Sequence, residues 1–176
     1  EKMITEYGAD AVRWFILSDS PPEKDVLWSQ VGVSSANKFL QKIWNINCEI
    51  INRKETKVNN KLVKKFNLDI EGQINKIDRS IEDFKFNVSI ANFYEIYNIF
   101  NKNLKLEISN DCLINNFTKI MKIMIPFTPY LAFECLEMLK CKEKFNWPKI
   151  SENVTAFVKI AVQVDGKTRD ILEIKK

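Results

Sequence analysis

A helical bundle followed by a β-hairpin is the fold this sequence predicts, and three observations predict it. Apolar residues recur at spacings of three and four through most of the chain up to about residue 140, as in helices that bury one face. The connections between these stripes are short, which makes antiparallel neighbours the simple arrangement. Near Val154 the pattern changes, to alternation on both sides of Asp165-Gly166. That dipeptide suits a two-residue type I′ turn, whose central positions both need positive φ.

Taken in order, residues from Lys2 to Ser18 predict a helix broken at Gly8. Ala9, Val12, Trp14, Phe15, Ile16 and Leu17 are dense enough to demand cover on most sides, part of it from a neighbouring domain. Pro21-Pro22 ends the helix, since proline lacks an amide hydrogen and restricts the residue before it. A linker follows, anchored to the bundle by Trp28. The first bundle helix carries Ala36, Phe39, Leu40, Ile43, Trp44, Ile50 and Ile51 on one face. The second carries Ile70, Ile74, Ile77, Ile81 and Phe84. The third starts at Asn87 as N-cap and uses Ile90, Phe93, Tyr94, Tyr97, Phe100 and Leu104. The fourth uses Leu113, Phe117, Ile120, Met121 and Met124. Pro126 stops it, and Thr128-Pro129 starts another, with threonine as cap, proline at the tolerated first position, and Leu131, Cys135, Leu136 and Leu139 inward. A two-stranded hairpin alone is marginal in water, so FVKIAVQVDGKTRDILEI implies a further α/β domain that the chain opens without completing.

Composition removes several functions. Hydrophobic residues at 45%, with 11% aromatic, suffice for a packed core. Lys+Arg 27 against Asp+Glu 23 gives a formal charge of +4, compatible with a polyanionic partner without requiring one. The chain has no histidine, so no Ser-His-Asp or Cys-His arrangement can exist. Cys48, Cys112, Cys135 and Cys141 form no CxxC pair, which argues for free thiols rather than a zinc site. The apolar region from Ile123 to Phe133 falls short of the roughly 20 residues a bilayer span takes. Gly166-Lys167-Thr168 imitates the end of a phosphate-binding loop, but Ala161 stands where the first glycine belongs, and a strand pattern follows instead of a helix. Asp78, Glu82 and Asp83 share a lysine- and arginine-rich helix and make a solvated face.

Five segments, in order, resemble the leucyl-tRNA synthetase family. YGADAVR with WFILSDSPPEKD and LWS resembles the exit from its catalytic domain. GVSSANKFLQKIW resembles GVxGxxRFLxRxW, with Ser35 at the second glycine and Lys38 at the usual arginine. IDRSIEDFKFNVSIANF carries a version of FNxAI, and MIPFTPYLAFECLEML resembles a PFTPH helix start. FNWPK with VQVDGKTRDIL resembles the WP element and VQVNGK hairpin. Tyr130 replaces a frequent histidine, 135–138 lacks a usual tryptophan, and Asp165 replaces asparagine, which adds negative charge at the hairpin tip.

The resemblance implies a mainly α fold of the class I synthetase anticodon-binding type. Residues 1–20 would be the tail of the catalytic and stem-contact region, 21–150 the bundle, and 151–176 the start of the C-terminal α/β domain. It implies a parent that attaches leucine to tRNA(Leu) with ATP and Mg. The family's HIGH signature needs two histidines, and its KMSKS loop would fall before Glu1, so this segment is expected to be non-catalytic and to need no cofactor of its own. Expected partners are tRNA(Leu) and the remainder of the synthetase, with no membrane, in a monomer located in the cytoplasm or an organelle. The alternatives are the equivalent part of an isoleucyl- or valyl-tRNA synthetase, or a helical interaction module without RNA.

The tRNA-binding candidates are Lys38 and Lys42, one helical turn apart; Arg79 and Lys85; and Lys167 and Arg169, two apart on a strand and so on one face. Arg13, on a largely buried helix, is expected to be structural and to need a partner. The dense run Arg53, Lys54, Lys57, Lys61, Lys64 and Lys65 is expected to be a soluble, Asn-rich connection.

Overall fold

A computed structural model describes residues 2–149, 157–164 and 167–175. The N-terminal apolar segment forms α1 (Lys2–Tyr7) and α2 (Ala9–Asp19), divided at Gly8. Gly8 takes φ 85°, a conformation open to glycine because it has no Cβ to clash.

Helix α3 (Gln30–Asn52) begins where Gly32 donates its amide hydrogen to the Ser29 hydroxyl at 3.1 Å. Its buried face is Val33, Ala36, Phe39, Leu40, Ile43, Ile46, Asn47 and Ile50. Trp44, expected inside, lies half-buried at the edge of that stripe, and Ile51 is exposed. Both stand one residue round the helix from a true inward position. At Gly32 a Cβ would meet the Phe15 ring, so a bare backbone here lets α2 settle on α3. Ser35, at the other family glycine, is exposed and donates to the Val31 carbonyl at 2.9 Å.

Helix α4 (Asn60–Glu82) starts earlier than the apolar stripe alone indicates. Lys61 and Leu62 donate their amides to Asn59 Oδ1 at 3.1 and 3.4 Å. Lys61, Lys64 and Lys65 therefore sit on helical turns, not in the expected connection. The helix ends with Lys85 N–H donating to Ser80 at 2.7 Å and Phe84 N–H to Ile81 at 3.0 Å, the Schellman pattern. That closure holds Phe84 at φ 56°, with 67% of it exposed, where the periodicity had placed it inward. It also fixes the start of α5 (Phe86–Asn103), with Lys85 at the cap position. Asn87 thus lies within the helix and is not the cap.

Helix α6 (Asn110–Met124) is capped by Ser109, and α7 (Pro129–Met138) opens on its proline. Thr128 holds the N-cap position of α7, but its hydroxyl makes no capping bond. The cap comes from α2: Leu131 N–H donates to Asp10 Oδ2 at 2.7 Å. Beside it, Arg13 donates from Nη2 to the Pro126 carbonyl at 2.6 Å and from Nε to that of Phe127 at 3.4 Å. The structural role expected of Arg13 is met by helix-end carbonyls, which carry partial negative charge.

Helix α4 packs on α5 and α6, while α3 packs on α2, α5, α6 and α7. One core runs through them. At its α2 end Trp14 is fully buried, stacked on Phe39 at 5.1 Å between ring centroids and close to Phe93 and Phe127. The cover that α2 demands comes largely from this chain itself. At the opposite end Arg53 donates to the carbonyls of Leu104 (2.8 Å), Leu106 (2.6 Å) and Ile108 (2.7 Å), to Asn110 Oδ1 (2.8 Å) and to Thr56 Oγ1 (3.2 Å). Asn110 Nδ2 returns a bond to the Arg53 carbonyl at 2.7 Å. The first member of the basic run is thus the clamp that holds the α5–α6 loop, not a solvated loop residue.

The described fold is mainly helical. Strands β1 (Phe157–Val164) and β2 (Lys167–Lys175) pair antiparallel, with Val164 opposite Lys167 and Gln163 opposite Thr168, then Val162 opposite Asp170. The register shift leaves Arg169 without an opposite residue. The Asp165-Gly166 turn lies outside the described residues.

Candidate nucleic-acid interface

Lys38 and Lys42 are both exposed on α3, because the neighbouring Phe39, Leu40 and Ile43 point into the core. The Lys42 ammonium stands 5.6 Å from the centroid of the Tyr97 ring on α5. That cation–π contact costs the lysine little and orients it. Arg79 is exposed on the last turn of α4. Lys85 pairs with Asp83 at 3.0 Å, and both side chains are mostly exposed. A surface pair of this kind contributes little to stability.

These candidates form two separate stations, one on α3 and one at the α4–α5 turn. Lys167 and Arg169 lie on β2, and their side chains are outside what the structure describes. The strict alternation that put both on one face is interrupted at Arg169 by the register shift.

A cationic group that the sequence did not assemble lies at the Arg53 end. Lys54 and Lys57 follow α3, Lys61 lies on the first turn of α4, Lys102 on the last turn of α5 and Lys105 just past it, and all are exposed. Arg53 holds the two segments together with its bonds to Leu104 and Leu106, and Asn59 N–H adds a bond to the Glu107 carbonyl at 2.8 Å. Glu55 and Glu107 are exposed among the lysines, so the end is basic but not uniformly so. Its only sequence signal is lysine at the close of a helical stripe, which does not say which other helix end it meets.

Burial works against nucleophilic chemistry at Cys112 and Cys135. Between α4 and α6 lies a groove of about 380 Å³ lined by Asn67, Glu71, Asp111, Cys112, Asn116 and Lys119. Asn67 Oδ1 accepts from Asn116 Nδ2 at 2.7 Å and from Cys112 Sγ at 3.2 Å. Burial pushes the Cys112 thiol above its ordinary value, and pushes Cys135 up to about 12, aided by Cys48 and Glu134. Both remain thiols near neutral pH, whereas nucleophiles and metal ligands need thiolate. Among the described residues no group of three or more His, Cys, Asp or Glu could hold a metal ion, and no helix is long and apolar enough to cross a membrane.

Comparison with known proteins agrees with this architecture. Residues 64–176 match the family described as the anticodon-binding domain of tRNA ligase. The leucine–tRNA ligase of Hyphomonas neptunium is 31% identical over 194 aligned residues, taking in 100% of this chain and 21% of the relative. That of Rickettsia bellii is 34% identical over 179 residues, 98% of this chain and 21% of the relative. The chain therefore spans about a fifth of the length of the curated relatives it matches. Among solved structures, a ternary LeuRS–tRNA–LeuAMS complex from Agrobacterium radiobacter K84 contains the same fold, with TM-score 0.79 at 20% identity over 99% of this chain and 24% of that one.

Proposed function

We propose a function from one premise: the chain belongs to the family of anticodon-binding domains of tRNA ligases. It is the tRNA-handling part of a leucine–tRNA ligase, holding tRNA(Leu) while a catalytic domain elsewhere in the polypeptide attaches leucine with ATP and Mg. One observation carries this reading above the sister synthetases: leucine–tRNA ligases match the chain from end to end at 31% and 34% identity. In this assignment 1–20 adjoins the catalytic region, 21–150 is the bundle, and 151–176 opens a C-terminal α/β domain that lies on the parent. The parent is a monomer of the cytoplasm or an organelle.

Phosphate contacts fix the position of RNA without specifying its sequence, and lysine and arginine make them. Lys38 and Lys42, steadied by Tyr97, form the first grip; Arg79 and Lys85 form the second; Lys167 and Arg169 extend it onto the hairpin. Binding of the purified chain to tRNA(Leu) across a salt series tests the proposal. Affinity should fall by roughly 0.7–0.9 log units per log unit of salt for each phosphate contact, and the charge reversals Lys38→Glu and Lys42→Glu together should flatten that slope. No binding at low salt, or a slope indifferent to all six cations, rejects it. Flattening by Lys102→Glu and Lys105→Glu alone would move the grip to the Arg53 end.

A further inference from the structure

Between α4 and α6 runs a polar groove that the proposed tRNA grip does not use. Asn67 and Glu71 stand one turn apart on α4 and line it together with Cys112, Asn116 and Lys119 of α6. Asn59 bonds the Glu107 carbonyl where both helices begin, and Asn67 meets Cys112 and Asn116 further along. The two helices therefore run parallel, with Asp111 toward one end of the groove and Glu71 toward the other. On its floor Asn116 is only 3% exposed, and Nδ2 donates to Asn67 Oδ1 at 2.7 Å and to the Cys112 carbonyl at 2.9 Å. Turning the carboxamide over would set its oxygen against these two acceptors, so its orientation is fixed. Asn116 Oδ1 is left buried, and no described residue donates to it. Such an atom is costly, and most buried acceptors in folded proteins find a partner.

The surroundings decide what supplies that donor. Glu71 and Asp111 line the same groove, and among the described residues neither carboxylate takes part in an ion pair or a hydrogen bond. Against these two carboxylates the lining sets one ammonium, that of Lys119, so it is acidic. The volume of about 380 Å³ is an order of magnitude above the roughly 30 Å³ share of a single water, and within the range of small-ligand sites. An orphan acceptor and two unpaired carboxylates call for a ligand that is positively charged and only donates. A primary ammonium offers three N–H donors and no acceptor. Asp111 and Asn116 are five positions apart on α6, about 7.5 Å along its axis. A four-carbon chain with an ammonium at each end spans that separation, and Val63 in the lining can receive its methylenes.

We propose that this groove binds an aliphatic diamine, with one ammonium donating to Asn116 Oδ1 and Glu71 and the other to Asp111. None of the six tRNA candidates lines it, so the proposal stands or falls apart from the tRNA grip. Titration of the purified 176-residue chain with diaminobutane, without tRNA and at constant ionic strength, tests it by NMR of the side-chain amides. The Asn116 and Asn67 carboxamide signals should shift saturably, and the melting temperature should rise with ligand. Tetramethylammonium, a cation with no N–H, should do neither. Butylamine, with a single ammonium, should bind at least about tenfold more weakly, for want of one charge-assisted bond. Glu71→Gln and Asp111→Asn should each weaken the diamine by a similar factor and leave the fold of the free chain unchanged. Shifts that never saturate, equal shifts with tetramethylammonium, or an affinity indifferent to both variants would overturn the proposal, as general screening of charge. A crystal structure grown with the diamine that shows water alone on Asn116 Oδ1 would overturn it as well.

Discussion

The two ends of the bundle are held by different physics. At the α2 end, Trp14, Phe39, Phe93 and Phe127 interlock, and polar groups enter only where a helix terminates: Asp10 on the first turn of α7, Arg13 on carbonyls past the end of α6. At the other end a loop between helices leaves the carbonyls of Leu104, Leu106 and Ile108 pointing inward, and a single guanidinium collects them. Arginine suits that task because its planar fork presents several donors in fixed directions. A terminus of aligned helices can therefore be sealed by rings, whereas an irregular loop needs donors.

Trp14→Ala should have the largest effect, about 3–5 kcal/mol of lost stability, because a fully buried indole leaves a cavity that its ring partners cannot close. Trp14→Phe should cost far less, and urea unfolding of both variants measures the difference. Arg53→Ala should follow at roughly 3 kcal/mol, as several carbonyls lose charge-assisted donors. Arg53→Lys should recover little, since one ammonium cannot span the loop. If Arg53→Ala melts with the native protein, the contrast between the ends fails.

The Asp10 end should also respond to pH. Burial raises the Asp10 carboxyl above its ordinary value of 3.8, opposed by the amides of Leu131 and Tyr130 and by Arg13. The folded state then binds the proton more tightly than the unfolded chain. The stability from this group is full below 3.8 and is lost as pH rises through the folded value. Asp10→Asn keeps an acceptor for Leu131 and has no titration, so the wild-type stability relative to it should decline from acid toward neutral pH. A constant difference in urea titrations would contradict this, and Arg53→Ala should not change the pH profile.

The smallest effect has the opposite sign. Lys140 closes α7 at φ 57° and is exposed, in the same Schellman geometry that holds Phe84. Lys140→Gly should stabilise the chain by about 0.5–1 kcal/mol, since glycine takes that conformation without strain, with a melting temperature a few degrees higher in calorimetry.

Much of this was legible in the residues. The break at Gly8, the inward stripe of α6 from Leu113 to Met124, and the structural use of Arg13 follow from local propensity and from the cost of an unpaired charge. Family membership followed from short motifs in order. At Phe84 and Asn87 a neighbouring turn overruled a local rule, and at Arg53 and Thr128 a distant element did. Phe84 fits the apolar period but sits past the last turn, and Asn87 is a good cap but lies two residues too late.

Sequence alone determined which face of each helix turns inward, because a period of 3.6 residues fixes that within a few turns. Only the closed chain decided which distant groups meet: Asp10 with Leu131, 121 positions apart, or Arg53 with a loop more than 50 positions away. Periodicity orients a side chain about its own axis. The partner on the next axis depends on how all the helices share one core.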